Sequence, residues 1–246
     1  MNVTRGTLDI PNDPTPWVIV SPTDDKQWCV LWLQGWTSTI DGHLEGITRM
    51  AEASGVTFAM MNYAGHGDHP TPLADSTKSQ QFSECLAAYD ELVSMGYEKI
   101  IVIGGSFGGY MAALLTGQRT PTATVLRAPA VYRDEEFEIP CSQTLRWDEK
   151  SDADAQFRTQ VTAESELDAI TAIRNYAGTV WVTEHELDTV VPGNIPKAYF
   201  DAAKHGNYLL VPNTEHSPKT MANPQKHFDY IEHMLVSIIR ATQLIP

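Results

Sequence analysis

Cysteine is scarce: the 246-residue chain holds three, Cys29, Cys85 and Cys141. An odd number of widely spaced cysteines excludes a disulfide framework, and none stands in the paired spacing of a zinc site. Long apolar runs are missing too, so no stretch reaches the length of a membrane span. Positive charge is in short supply, with 17 Lys and Arg against 31 Asp and Glu and a formal net charge of −14. A field of that sign repels phosphate backbones and anionic lipid headgroups, which argues against nucleic acid or a membrane as partner. Neither Gly-x-Gly-x-x-Gly nor Gly-Lys-Ser/Thr occurs, so the phosphate-cradling loops of nucleotide sites are absent. Residues 1–8 carry one arginine and no apolar run, and a soluble cytoplasmic protein is the expectation. A mature secreted chain with its signal removed would share these features.

What is present is globular. Hydrophobic residues make up 42% and charged residues 20%, a balance that supports one large core and argues against disorder. Residues 1–246 are expected to form a single domain. Short β-rich apolar runs at 17–20, 28–33, 56–62, 99–104, 122–126, 179–183 and 208–211 alternate with helical patterns. That alternation predicts an α/β class, a mainly parallel central sheet flanked by helices. Phe82, Cys85, Leu86, Tyr89, Leu92 and Val93 form one helical stripe that ends near Gly96. Another helix begins at Met111. The last helix is predicted to open with Asn223 as N-cap and Pro224 at its first position, with Phe228, Ile231, Leu235, Ile238 and Ile239 on the one face that packs on the sheet. Residues 130–168 break the alternation, lack a clear strand and hold eleven acidic residues against four basic ones. A long irregular insertion of this kind reads as a lid or cap, with Phe137, Trp147 and Phe157 among the residues that would roof a pocket; a plain excursion held by its own small cluster is the alternative.

The chemistry is concentrated in Gly104-Gly105-Ser106-Phe107-Gly108-Gly109-Tyr110, which follows the 99–104 strand and precedes a helix. Gly-x-Ser-x-Gly in that setting is a sharp turn that lifts a serine hydroxyl clear of the sheet, with the following helix N-terminus ready to stabilise negative charge. An ordinary serine in a glycine-rich turn is the competing reading. A serine hydroxyl is a poor nucleophile until an imidazole takes its proton and a carboxylate fixes that imidazole's tautomer. In the chain order serine, acid, histidine, both are expected in loops after later strands. The loop after 179–183 offers Asp188, and the loop after 208–211 offers His216. His185 is the rival base; Glu184 and Glu186 are rival acids. The oxyanion donors are expected to be the backbone N–H groups of Trp36, in the loop after the 28–33 strand, and of Phe107, next to the serine, with Gly35 allowing close approach. Gly35, Tyr110, Phe137 and Trp147 are the candidate substrate contacts. His66-Gly-Asp-His69 contains possible metal ligands, but the turn lacks helical ligand spacing, and no metal is expected.

Gln34-Gly35-Trp36, Asn62-Tyr-Ala-Gly-His-Gly67, the Ser106 turn, Asp188-Thr-Val-Val-Pro192 and His216 together resemble the ordered landmarks of the α/β-hydrolase superfamily. The Gly-x-Ser-x-Gly-Gly-Tyr run is similar to the nucleophile turn of prolyl-oligopeptidase-type serine peptidases. The small size and single insertion look more like compact bacterial esterases of the cinnamoyl and feruloyl esterase type. Two positions depart from the superfamily pattern: Gln34 stands where many members have His, and Ala64 where many have Arg. Both affect the substrate entrance and neither removes a backbone donor. The resemblance implies a cofactor-free serine hydrolase, with carboxylic esters as first expectation and a small peptidase or amidase, or a non-catalytic ligand-binding protein on the same fold, as alternatives. The negative charge of 130–168 leads to the further expectation of a small neutral or cationic ester as substrate. Oligomeric state is left open by the sequence.

Overall fold

The computed structural model describes residues 1–144 and 152–245, which build one eight-stranded sheet with helices on both faces. Strands β1 (Asn2–Leu8) and β2 (Thr15–Ser21) form an antiparallel hairpin at one edge. They are followed by β3 (Trp28–Leu33), α1 (Ile40–Ser54), β4 (Thr57–Met61), α2 (Lys78–Ser94), β5 (Lys99–Gly105), α3 (Phe107–Thr116) and β6 (Ala123–Arg127). Short helices α4 (Cys141–Thr144) and α5 (Asp152–Thr159) precede α6 (Asp168–Asn175), β7 (Thr179–His185), α7 (Asn194–Ala202), β8 (Gly206–Val211) and α8 (Pro224–Gln243). The spatial order is β1-β2-β4-β3-β5-β6-β7-β8, with every pair from β4 to β8 parallel. The mainly parallel sheet expected from the alternating pattern is present, and the seven predicted strands overlap β2 to β8.

Strand β1 was not predicted, for a physical reason. Six of its seven residues are exposed, so it has no apolar alternation, and its main chain pairs with β2 at the sheet's edge. Central β3 and β4, by contrast, are buried at every position, as strands covered on both faces must be. Their side chains divide by parity into two cores. Cys29, Leu31 and Leu33 join the cluster shared with α2, α3, α6 and α7, while Val30 and Trp32 join the one shared with α1 and α8.

The last helix buries Ile231, Leu235, Ile238 and Ile239 as predicted, while Phe228 is only partly buried because it borders the cavity. Its start differs. Asn223 occupies the position before Pro224, but its backbone is left-handed at φ 58° and its side chain caps no first-turn N–H. A capping side chain needs the extended backbone that this turn does not adopt. Residues 130–168 contain no strand among the described residues, as expected, and hold only a short 3-10 turn at Asp134–Glu136 and helices α4 and α5. No helix among the described residues is long and apolar enough to cross a membrane.

Candidate active site

The chain leaves β3 toward α1 on one face of the sheet and leaves β5 toward α3 on the other, so a crevice opens beyond the strand ends between them. Ligands bind at such places in open α/β sheets. Ser106 sits there, between β5 and α3, with a backbone of φ 53° and ψ −115° that side-chain-bearing residues rarely adopt. The turn is locked by its own hydrogen bonds. The Ser106 N–H donates to the Arg127 carbonyl at 2.9 Å, and the Ser106 carbonyl accepts from the N–H of Gly109 and of Ala130. It is also locked by absence of bulk: a Cβ on Gly104 would lie 2.0 Å from the Gly108 carbonyl oxygen, and one on Gly108 would lie 1.9 Å from the Leu33 carbonyl oxygen. Nothing larger than glycine lets β3, β5 and α3 approach so closely.

Ser106, His216 and Asp188 meet in series. His216 Nε2 lies 2.8 Å from Ser106 Oγ, and His216 Nδ1 lies 2.6 Å from Asp188 Oδ2. The other oxygen of Asp188 accepts the N–H groups of Val190 and Val191, each at 2.8 Å. Burial alone would raise the pKa of Asp188; His216 and the two backbone donors outweigh it and hold the carboxyl below its ordinary value. The acid and histidine loops are stitched together by Leu187 N–H to the Thr214 carbonyl and Glu186 N–H to the Val211 carbonyl.

The rival base His185 is turned elsewhere. Its Nδ1 lies 2.8 Å from the Glu215 carbonyl, so it braces the loop that carries His216. Burial, then the nearby Arg127 charge, push its pKa down to about 4 and keep it neutral. Of the rival acids, Glu186 accepts the Asn213 N–H and Glu184 is bonded by the Tyr208 hydroxyl.

The loop after β3 lies over the nucleophile turn. A Cβ on Gly35 would be 3.6 Å from Ser106 Cβ, and the Trp36 ring stands edge-on to Phe107 with centroids 4.8 Å apart. Phe107 is the first residue of α3, so its N–H is one of the first-turn donors without a carbonyl inside the helix. His66 packs edge-on to Trp36 at 5.0 Å and supports this pair from behind. Gln34, the first departure from the superfamily pattern, is buried and donates through Nε2 to the Met61 carbonyl.

A cavity of about 750 Å³ opens in front of Ser106 and runs toward the space between α1 and α8. Gly35, Trp36, Ser106 and His216 line it. Two predicted contacts do not. Tyr110 is fully buried behind Phe107 and packs on Tyr132, because every residue of α3 is buried. Phe137 packs on the Phe82 ring of α2 instead, at 5.9 Å. Trp147 lies outside the described residues. The 130–168 segment does form one wall, through Val131, Tyr132, Arg133, Glu136, Phe157 and Arg158. Most of its described acidic side chains do not line the cavity. Glu135, Glu138, Glu164 and Glu166 are exposed or outward, and Asp134 accepts the Asp168 N–H. Glu136, which does line the cavity, lies 3.4 Å from Lys78. Among the described acidic residues of the segment, then, only Glu136 reaches the cavity, and it faces a lysine: a segment's net charge does not say which way its carboxylates point.

Sequence reasoning missed Arg127, Lys78, Tyr132 and Lys219 in the lining. Only Arg127 carried a signal, a lone cation directly after an apolar strand. His69 is taken up with Asp13 and Glu84, whose ligand-type atoms lie within 4.8 Å of His69 and of one another, away from the cavity.

Residues 43–235 match the family model described as the prolyl oligopeptidase family. Among solved structures, Est1E of Butyrivibrio proteoclasticus with ferulic acid bound is similar at a TM-score of 0.70 and 16% identity, covering 94% of this chain and 98% of that one. A putative hydrolase of Agrobacterium vitis S4 is similar at 0.68 and 19% identity over 97% and 98% of the two chains. An esterase of Pyrobaculum calidifontis is similar at 0.69 and 16% identity over 99% and 86%. At these identities the likeness shows a shared fold, the α/β-hydrolase fold that the landmarks imply.

Proposed function

The chain belongs to the prolyl oligopeptidase family and is a serine hydrolase of the α/β-hydrolase fold, and from that premise we propose that it cleaves small carboxylic esters through an acyl-enzyme on Ser106, His216 and Asp188. The observation that carries the proposal is the unbroken series of contacts from Ser106 Oγ through His216 to Asp188 at 2.8 and 2.6 Å, set at a cavity wall.

In this reading His216 Nε2 takes the Ser106 proton as Oγ attacks the ester carbonyl. Asp188 holds the proton of the imidazole on Nδ1 and stabilises the imidazolium that forms. The developing oxyanion accepts hydrogen bonds from the N–H groups of Phe107 and Trp36, each worth about 3 kcal/mol of transition-state stabilisation. His216 then returns the proton to the leaving alkoxide, which departs as the alcohol. Water, deprotonated by the same imidazole, attacks the acyl-Ser106 ester; the carboxylic acid leaves and Oγ regains its proton. Residues 130–168 act as the cap over this site.

Family membership favours a second reading, a peptidase or amidase using the same residues. Turnover of p-nitrophenyl esters against peptide p-nitroanilides separates the two, with the esters expected to be the faster series. A fluorophosphonate probe is expected to label Ser106; failure to label it would leave the fold as a ligand-binding protein only.

A further inference from the structure

The cavity holds a cation, Arg127, without a counter-ion among the described residues. Arg127 is the last residue of β6, on the strand face that carries Val125. That face is otherwise apolar in the centre of the sheet, with Ile103 on β5 and Trp32 on β3. Its guanidinium occupies the place a side chain on its cross-strand partner Gly105 would take: a Cβ there would lie 2.6 Å from Arg127 Nη2 and 3.1 Å from Nε. Gly105 directly precedes Ser106, so the charge lies against the nucleophile turn itself, and Arg127 and Ser106 line the same cavity.

No carboxylate among the described residues lies within ion-pair distance of Arg127. Its guanidinium meets the neutral His185, with Nη1 3.5 Å from Nε2. Asp188 is near enough to favour the charge, but both its oxygens are committed to His216, Val190 and Val191. Further positive potential comes from Lys219, an exposed residue of the same cavity wall. Arg127 and Lys219 both act on His43, whose pKa burial first and these cations second lower to about 4. A half-buried guanidinium is costly to leave unpaired, and its planar fork of donors matches a carboxylate.

Building on the esterase reading, we propose that Arg127, assisted by Lys219, is an anion subsite of the Ser106 centre and that the substrate is an ester bearing a carboxylate a short reach from the scissile bond. The net charge of −14 does not oppose this, because exposed carboxylates are screened over about 8 Å at physiological ionic strength while the fork acts in contact. The carboxylate belongs either to the acyl half, as in a monoester of a dicarboxylic acid, or to the alcohol half, as in an ester of a hydroxy acid.

Three series of aryl esters of matched length test it: carboxylate on the acyl chain, carboxylate on the phenol, and uncharged. The wild type is expected to favour one anionic series, which identifies the half that carries the charge. Arg127→Gln is expected to lower the ratio of anionic to uncharged kcat/KM by about tenfold or more, chiefly through KM, with Arg127→Lys recovering part of it. An unchanged ratio, with all three series slowed alike, would make Arg127 only a brace for His185 and overturn the subsite. If Arg127→Gln does not fold, Lys219→Gln at the exposed position is expected to lower the same ratio by a smaller factor, and no change there counts against the proposal. Binding is read apart from hydrolysis with Ser106→Ala, whose Tm is expected to rise with millimolar glutarate or succinate and not with butyrate. No rise overturns the subsite even if esters are cleaved; a rise with no ester cleaved sinks the esterase reading and keeps the subsite.

Discussion

A histidine stands beside carboxyl groups in two regions of this molecule, and the two do different work. In the cavity, His216 bridges Ser106 and Asp188, with side chains of His216 and Asp188 16% and 5% exposed. Behind it, His69 faces Asp13 Oδ1 at 3.2 Å and Glu84 Oε1 at 3.5 Å, with the His69 and Glu84 side chains fully buried. The residue types are nearly the same; the surroundings of the carboxyl groups are opposite. Asp188 is kept ionised by His216 and two backbone donors despite burial. Glu84 has one backbone donor, the Ala64 N–H at 2.8 Å, and burial pushes its pKa up to about 9, so it keeps its proton at neutral pH. His69 in turn accepts the Thr71 N–H on Nδ1, which leaves its proton on Nε2, the nitrogen facing the carboxyl groups. The first cluster presents a basic nitrogen to a hydroxyl in a cavity. The second ties the β1–β2 loop, the loop after β4 and α2 together and presents nothing to solvent. What separates the two histidines is where the unshared electron pair points.

The sharpest way to break this contrast is to remove the hydroxyl. Ser106→Ala is expected to cost about six orders of magnitude in turnover, measured on the preferred ester with unchanged circular dichroism. Asp188→Asn comes next. The amide cannot hold the imidazole proton on Nδ1 while presenting a basic Nε2, and about four orders of magnitude in kcat should go. A loss of only a few-fold in either variant would mean that Ser106 and His216 merely touch.

The first cluster was legible in the sequence because its parts sit at places fixed by topology: a turn from strand to helix and two loops at strand ends. The linear order of Ser106, Asp188 and His216 carried the arrangement. The cavity wall was legible only in part: Gly35 and Phe157 line it as expected, but lining depends on which face of an element meets space. Tyr110 follows Ser106 by four residues, yet α3 is buried all round and carries it into the core. Phe137 lies in the segment that walls the cavity, yet its ring found Phe82. The second cluster was invisible for a related reason. Asp13, His69 and Glu84 come from three stretches without a shared motif, and only packing joins them. Strand β1 lacked the apolar alternation that would have announced it, since an exposed edge needs only main-chain pairing.

Glu84 gives the third test, one of stability. Unfolded, its carboxyl loses a proton near the ordinary value of 4.5; folded, it holds the proton to about 9. Between those values the native state binds one proton more than the unfolded chain, so wild-type stability falls as pH rises through the window. Glu84→Gln keeps the neutral shape and has no proton to lose. Below pH 4.5 the pair should respond alike to pH, and above it the variant should gain on the wild type as pH rises toward about 9, read from urea melts. Parallel stability profiles across that range would mean that Glu84 is ionised in the fold and that the two clusters are electrostatically alike.

The smallest effect is expected from zinc. Three ligand-type atoms within 4.8 Å of one another have the look of a metal site. Two features of the cluster oppose it. The His69 nitrogen facing the carboxyl groups bears a proton, and moving that proton to Nδ1 would set it against the Thr71 N–H that Nδ1 now accepts. Glu84 would also have to ionise, which burial resists up to about pH 9. A ligand stabilises a fold only as far as it binds the native state, so excess zinc at pH 7 should move Tm by less than about 1 °C. A rise of several degrees that Glu84→Gln abolishes would turn the buried cluster into a metal centre and erase the contrast with His216.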